Sequence, residues 1–390
     1  MDGDALMTKT KVLYIMHMAN NSGSVISLKN LLSQIAKDKI QAVVVYPRMK
    51  ATKPEVVSEL KNLGATVVEG ITDLSAIYRD KNIVKRIYHN IKIPFRRIRA
   101  RKSLDRIIRE YQPDIIHTNS GISQMGFLLS RKYNIPHVWH IREYLTKDFN
   151  RKLYPNEKTV RELYGQSYTI CITKDIQEYF GLAGNARSRV IYNPIFSVDQ
   201  LSDEISSKKE YFLIASRIGA EKGIDEIIDC FIEAKKESGN FKLLIAGEGR
   251  EKENYMKKYE EYIREGSVVF LGFVKDVRPL MAEASALFVG SRNEGFGRMT
   301  AEANMMGCMV IGRNSAGTKE IITETKGGFL YNDKPELVSI IKQVSHMSGD
   351  DMVKFMEAPR KRAIELYSNE RSAQEVLAFY NSILSNKTSE

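Results

Sequence analysis

Short aliphatic and β-branched runs recur along the chain at 11–18, 41–47, 65–70, 114–119, 137–141, 168–173 and 190–193. Between most of them the apolar positions follow a helical period, as at 25, 28, 31, 32 and 35 of the segment 24–37. Near-continuous apolar strands separated by helices predict parallel sheets covered on both faces. Around 195–210 the pattern lapses into a polar stretch. It then restarts with runs at 211–216, 241–247, 268–272, 286–290, 309–313 and 328–331. The chain reads as α/β throughout, in two doubly wound, Rossmann-like domains. The first spans 1–200 and the second 201–370; 371–390 reads as a C-terminal helix packing back toward the first domain. Helical periodicity runs from 350 to 386 with few breaks.

Composition narrows this little: 390 residues, 43% apolar and 27% charged, is ordinary for a globular protein and excludes wholesale disorder. Cys171, Cys230 and Cys308 are too few and too scattered for a disulfide framework or a thiolate zinc site, and read as buried thiols in a reducing compartment. No apolar run approaches the roughly 20 residues of a membrane-spanning helix. The first ten residues, MDGDALMTKT, lack the basic start and apolar stretch of a signal peptide. The expectation is a cytoplasmic protein, peripheral on the inner face of the cell membrane if held there from outside.

Charge changes the picture more. Residues 1–200 carry 32 Lys and Arg against 18 Asp and Glu, a net +14, whereas 201–390 carry 27 against 30, a net −3. Nine of the cations (Lys81, Lys85, Arg86, Lys92, Arg96, Arg97, Arg99, Arg101 and Lys102) fall in 81–102, where no acidic residue occurs. Apolar residues at 84, 87, 88, 91, 95 and 98 have helical spacing, although Pro94 is expected to kink or interrupt the helix. A basic amphipathic segment fits an anionic membrane surface, at about 1 kcal/mol per cation. The plainer alternative is a helix that packs its apolar stripe on the core and solvates its charges. No nucleic-acid motif accompanies the charge.

Ligands of such sheets bind beyond the carboxyl ends of the strands. The loop after the first strand, Asn20-Asn21-Ser22-Gly23-Ser24, holds small residues at a helix start, where backbone N–H groups can approach an anion. After 211–216 come Arg217 and Lys222 on either side of a glycine turn. Together they suit a diphosphate, Arg as a fork and Lys as a point charge. After 241–247 comes Gly247-Glu248-Gly249, a tight turn. After 286–290 comes Asn293-Glu294-Gly295-Phe296-Gly297-Arg298, leading into a helix that contains Glu302. Two carboxylates straddling a loop and a helix can accept hydrogen bonds from the vicinal diols of a sugar or ribose. An anion clamp beside diol acceptors asks for a nucleoside diphosphate sugar.

These residues resemble the retaining glycosyltransferases of family 4, which have the GT-B fold of two Rossmann-like domains facing a central cleft. The resemblance covers nearly the whole chain and is densest over 211–331. Its most specific element is the E-x7-E signature, here Glu294 to Glu302, accompanied in family order by Arg217…Lys222-Gly223, Gly247-Glu248-Gly249, Val269–Val274 and Gly317-Thr318-Lys319-Glu320. The resemblance implies that Arg217 and Lys222 bind the donor diphosphate and that Glu302 holds the ribose. It implies that Glu294 with the backbone of Gly295, Phe296 and Gly297 binds the transferred sugar, that Phe273–Val274 meet the base, and that Gly23 approaches from the other domain. Asn193-Pro194 stands where the family usually has Asn-Gly.

The family also places a histidine at the end of its fifth strand, touching sugar or acceptor. Here that position falls on Arg142, with His140 two residues earlier on the same strand face. Both are candidates. No His/Asp/Cys cluster has metal-ligand spacing, which fits a metal-independent, cofactor-free transferase. The implied reaction moves a hexose-type sugar from a nucleotide sugar, UDP by family frequency, with retention. The implied acceptor is a saccharide or polyprenyl-linked saccharide of a cell-surface polysaccharide such as capsule or exopolysaccharide. Two rivals are a sugar-nucleotide epimerase of the same fold, for which the first domain shows no convincing carboxylates, and a non-catalytic membrane-associated scaffold, in which Glu294→Ala would leave cellular activity intact.

Overall fold

The computed structural model describes residues 9–35, 39–47, 49–50, 52–78, 83–145, 151–237 and 241–388. Most of MDGDALMTKT, Lys81, and the side chains of Lys85 and Arg86 lie outside that set. The chain forms two units, Met1–Pro194 with Asn369–Glu390, and Ile195–Ser368.

The strands of the first unit are β1 (Thr10–Ile15), β2 (Ile40–Pro47), β3 (Thr66–Gly70), β4 (Ala76–Tyr78), β5 (Ile115–Thr118), β6 (His137–Ile141), β7 (Arg151–Leu153), β8 (Tyr168–Cys171) and β9 (Ser188–Val190). Seven of them make one parallel sheet in the order β3-β2-β1-β5-β6-β8-β9. Alternation along β1 sends Val12 and Tyr14 to one face and Leu13 and Ile15 to the other, and all four are buried. The first face is covered by the helices Gly23–Gln34 and Asn369–Thr388, the second by Ile83–Tyr111 and Met125–Tyr133. Hence the strands read as continuous apolar runs. The pair β4–β7 is antiparallel and has no counterpart in the apolar pattern, because three-residue strands are too short to show a period.

The second unit holds β10 (Lys209–Ala215), β11 (Lys242–Ala246), β12 (Val268–Gly272), β13 (Ala284–Val289), β14 (Met309–Arg313) and β15 (Gly328–Tyr331), parallel in the order β12-β11-β10-β13-β14-β15. Phe212 and Ile214 pack to one face, Leu213 and Ala215 to the other. In both sheets the strand order reverses beside the first strand, at β1/β5 and at β10/β13. Loops leaving neighbouring strands diverge there and open a crevice at the carboxyl edge.

Two expectations are corrected. Pro94 does not interrupt its helix, which runs unbroken from Ile83 to Tyr111. A proline in a helix interior costs about 3 kcal/mol, and Ile93, Ala100, Leu104, Ile107 and Ile108 offset this by burying one side of the helix. The periodic segment 350–386 is two helices, Gly349–Tyr367 and Asn369–Thr388, separated at Ser368, whose backbone is extended. All three cysteines are buried and unbridged.

Candidate active site

In the second unit the loops after β10 and β13 lie backbone against backbone. A Cβ at Gly290 would come within 2.7 Å of the Lys222 carbonyl oxygen, so only glycine permits the approach. This contact carries Lys222 to the loop beyond β13, where its Nζ lies 2.6 Å from Glu294 Oε1. Both side chains are about a quarter exposed. The loop is pinned from β14 as well. The Gly317 N–H donates to the Glu294 carbonyl at 3.0 Å, and a Cβ at Gly317 would meet the Phe296 oxygen at 2.1 Å. Phe296 is buried edge-on against Tyr367, Gly297 is buried beside it and Gly295 is half-buried. The turn after β11 is tied to its neighbours too. The Gly247 N–H donates to the Gly272 carbonyl at 2.7 Å, and the Glu248 carbonyl accepts from the Ile218 N–H at 2.9 Å.

Glu302 lies one turn into the helix Arg298–Met305. Its carboxylate is 2.7 Å from Arg298, and burial holds its pKa above the ordinary range although Arg298 pulls it down. The spacing of four could have revealed this pair in the sequence. Arg217 is not gathered in: its side chain is 73% exposed and its Nη2 pairs with Glu221 at 2.5 Å. Glu248 pairs with Lys252 at 2.7 Å. Phe273 stands 76% exposed at the end of β12, and Val274 is partly buried beside it. Thr318, in the Gly317–Glu320 motif, and Thr300, outside every motif singled out above, flank the Gly297 turn, and among the described residues their buried hydroxyls have no hydrogen-bond partner.

The first unit assembles a buried polar chain at its own switch point. The Tyr380 hydroxyl lies 2.6 Å from His117 Nδ1, His117 Nε2 lies 3.2 Å from His140 Nδ1, and Arg142 Nη2 lies 3.1 Å from the same nitrogen. Arg142 also donates to Asn119 Oδ1 at 2.8 and 3.1 Å and to Asn193 Oδ1. Asn119 in turn donates to the Ser24 carbonyl at 3.1 Å, tying in the loop that carries Gly23. A Cβ at Gly23 would meet open space. Burial, and after it the charge of Arg142, hold both His117 and His140 well below the ordinary histidine pKa, so both are neutral at pH 7. A guanidinium only donates, so His140 Nδ1 accepts and the proton sits on Nε2. That buried N–H has no partner among the described residues. No local sequence signal announces Tyr380, 263 residues from His117.

Among the described residues no group of three or more His, Cys, Asp and Glu could hold a metal ion, and no helix is long and apolar enough to cross a membrane.

Comparison with known proteins bears on both units. The profile of Glycosyltransferase Family 4 matches residues 21–196, and that of Glycosyl transferases group 1 matches 199–365, so the two adjoin and together span most of the chain. The chain belongs to the family 4 glycosyltransferases. EpsD of Bacillus subtilis (strain 168), described as a glycosyltransferase, is 22% identical to it over 74% of this chain and 82% of its own length. The GtfA subunit of the UDP-N-acetylglucosamine–peptide N-acetylglucosaminyltransferase of Streptococcus pneumoniae is 25% identical over 50% of this chain and 38% of its own. The crystal structure of Anabaena HepE in complex with UDP superposes with a TM-score of 0.73 at 19% identity, over 96% of this glycosyltransferase and all of HepE. The fold is GT-B, with two Rossmann-like units.

Proposed function

We propose that this glycosyltransferase moves a hexose-type sugar from a nucleoside diphosphate sugar, UDP-sugar in the first instance, to a saccharide or lipid-linked saccharide, with retention of configuration. The observation that carries the reading is the Lys222–Glu294 pair. It sits between the loops that follow β10 and β13, where the strand order reverses. UDP is favoured because HepE was crystallised with it. The O-antigen biosynthesis glycosyltransferase WclY of Escherichia coli, 23% identical over 44% of this chain, supports a place in polysaccharide synthesis only through likeness of sequence.

In this mechanism the bond between the anomeric carbon and the diphosphate oxygen loosens toward an oxocarbenium-like state. Negative charge grows on the diphosphate and is stabilised by Lys222, by Arg217 once it leaves Glu221, and by loop N–H groups. The acceptor hydroxyl attacks from the face the diphosphate leaves, its oxygen bonding to the anomeric carbon as its proton passes to the departing diphosphate oxygen. Glu294 orients the sugar, Glu302 receives the ribose hydroxyls, and the Phe273–Val274 backbone meets the base. On the first unit His140 is favoured over Arg142 for contact with sugar or acceptor. Arg142 spends its guanidinium on Asn119, Asn193 and His140, whereas His140 offers a buried N–H donor. The reading asks for no metal and no cofactor beyond the donor.

The test is a thermal-shift panel of UDP-, GDP- and ADP-sugars without added metal, on wild type and Lys222→Ala. A nucleotide sugar that raises the melting temperature of the wild type but not of the variant supports the donor site and selects the base. No shift from any of them at millimolar concentration would overturn it.

A further inference from the structure

The helix Ile83–Tyr111 carries two apolar stripes. Ile93, Ala100, Leu104, Ile107 and Ile108 are at most 3% exposed and pack on the sheet. Val84, Ile87, Tyr88, Ile91, Phe95 and Ile98 are between 51% and 71% exposed. At 3.6 residues per turn the second stripe is centred about 160° round the helix from the first. The outward stripe is therefore not the core face of an ordinary surface helix. The helix has its core face already, and this one is additional. With Ile83 these residues make up seven of the fourteen large hydrophobics that are exposed among the described residues.

The stripe is held firmly. Arg97, on the inward side, donates to Ser75 Oγ and, at 2.9 Å, to Gln124 Oε1, and lies 3.7 Å from the fully buried Asp73. Asp73 in turn accepts from the N–H groups of Gln124 and Met125 at 3.0 and 3.1 Å. Lys92, Arg96 and Arg99 border the stripe on one side and Arg101 on the other, and no carboxylate occurs between Asp80 and Asp105. The Lys92 ammonium lies over the face of the Tyr88 ring, 3.6 Å from its centroid.

We infer that this outward face docks on the surface of an anionic lipid bilayer, with Val84, Ile87, Tyr88, Ile91, Phe95 and Ile98 entering the headgroup boundary and the flanking cations meeting lipid phosphates. Charge complementarity selects that occupant. A second copy of this chain meeting the face about a two-fold axis would set one unbroken cation cluster against another. A nucleic acid would engage the cations and leave the central aliphatic stripe wet. An anionic bilayer satisfies both halves of the pattern. The inference goes beyond the sugar-transfer reading and does not depend on which donor is used.

Vesicle flotation of the full chain tests it, with phosphatidylcholine vesicles against phosphatidylcholine mixed with phosphatidylglycerol. The wild type is expected to float with the mixed vesicles and to be released by salt. The triple variant Ile87→Ser/Ile91→Ser/Phe95→Ser is expected to lose binding by tenfold or more, as is Arg96→Gln/Arg99→Gln, for which two cations predict roughly thirtyfold. These positions are exposed, so all variants should fold and should keep the thermal shift given by a nucleotide sugar. Equal binding of wild type to neutral and anionic vesicles, or unchanged binding by the triple variant, would overturn the inference. So would a dimer in sedimentation equilibrium that the triple variant abolishes, because the face would then be an interface between copies. Vesicle binding without any nucleotide-sugar shift would sink the donor reading alone.

Discussion

Replacing Glu294 by glutamine should tighten the binding of UDP while suppressing sugar transfer. The carboxylate lies 2.6 Å from Lys222 Nζ and both side chains are about a quarter exposed. A diphosphate that recruits Lys222 comes within about 5 Å of that carboxylate, and two unit charges at this distance repel by roughly 1–3 kcal/mol at the effective dielectric of a protein surface. Glutamine keeps the shape and can still accept a hydrogen bond, but removes the repulsion and the competition for the ammonium. If half the repulsion is realised, UDP affinity rises about 2- to 13-fold. Transfer should move the other way, by about a hundredfold, because the group that orients the sugar in the transition state is weakened. The stability of the free protein should change by no more than about 1 kcal/mol, as is usual for partly exposed pairs. Calorimetric titration with UDP and initial-rate measurement on the same preparations decide it. The reasoning is refuted if Glu294→Gln binds UDP no more tightly than wild type. It is also refuted if Lys222→Met and Glu294→Gln are additive in UDP affinity, since neighbours that share a ligand must couple.

Glu302→Gln should leave the free protein as stable at pH 7 or slightly more so. Burial raises the folded pKa of Glu302, so its contribution to stability is present below the usual glutamate value and lost as pH rises through the raised one; nucleotide affinity should fall about 10- to 100-fold with the charged acceptor gone, and unchanged affinity by calorimetry would remove Glu302 from the ribose site. Gly317→Ala places a methyl 2.1 Å from the Phe296 carbonyl oxygen and must displace the loop; a cost of about 2–4 kcal/mol in chemical denaturation is expected, and a neutral result would show that the loop yields freely. Burial lowers His117, His137 (to about 3) and His140 from 6.5. Their contribution is present above pH 6.5 and lost as pH falls below it, by up to about 1.4 kcal/mol per pH unit for each; His137→Gln should flatten the slope by about that much, and an unaltered slope would contradict the buried neutral state.

How much was legible depended on the range of the interaction. The runs that became β1 and β10 stood out because strands covered on both faces are apolar at every position. The strand-end loops were legible because Glu294, Lys222 and their glycines lie within a few residues of a strand end. The partnership of Lys222 with Glu294 was not, because it spans 72 residues and depends on the parallel register of β10 with β13. Tyr380 was hidden for the same reason, being carried to His117 by a terminal helix 263 residues away. Pro94 misled because local preference cannot see the buried side of the helix beyond it, where Ala100, Leu104 and Ile107 are fully enclosed.

The charges of the two units work by different physics. In the second unit four cations near the candidate donor loops carry their own carboxylates: Lys222 with Glu294, Arg217 with Glu221, Arg298 with Glu302, Lys252 with Glu248. Such loops project little net field, in keeping with the −3 of residues 201–390. An anion is then recognised by exchange of partners at contact distance, which selects a ligand able to satisfy the displaced carboxylates with hydroxyl groups. A sugar nucleotide has both halves of that requirement, whereas inorganic phosphate has only one. On the helix Ile83–Tyr111, Lys92, Arg96 and Arg99 have no acid within four residues along the chain, so their field reaches to a Debye length, about 8–10 Å at physiological salt. Salt should therefore weaken attachment at that helix steeply and nucleotide binding only slightly, because ion pairs that trade partners keep nearly the same number of compensated charges throughout.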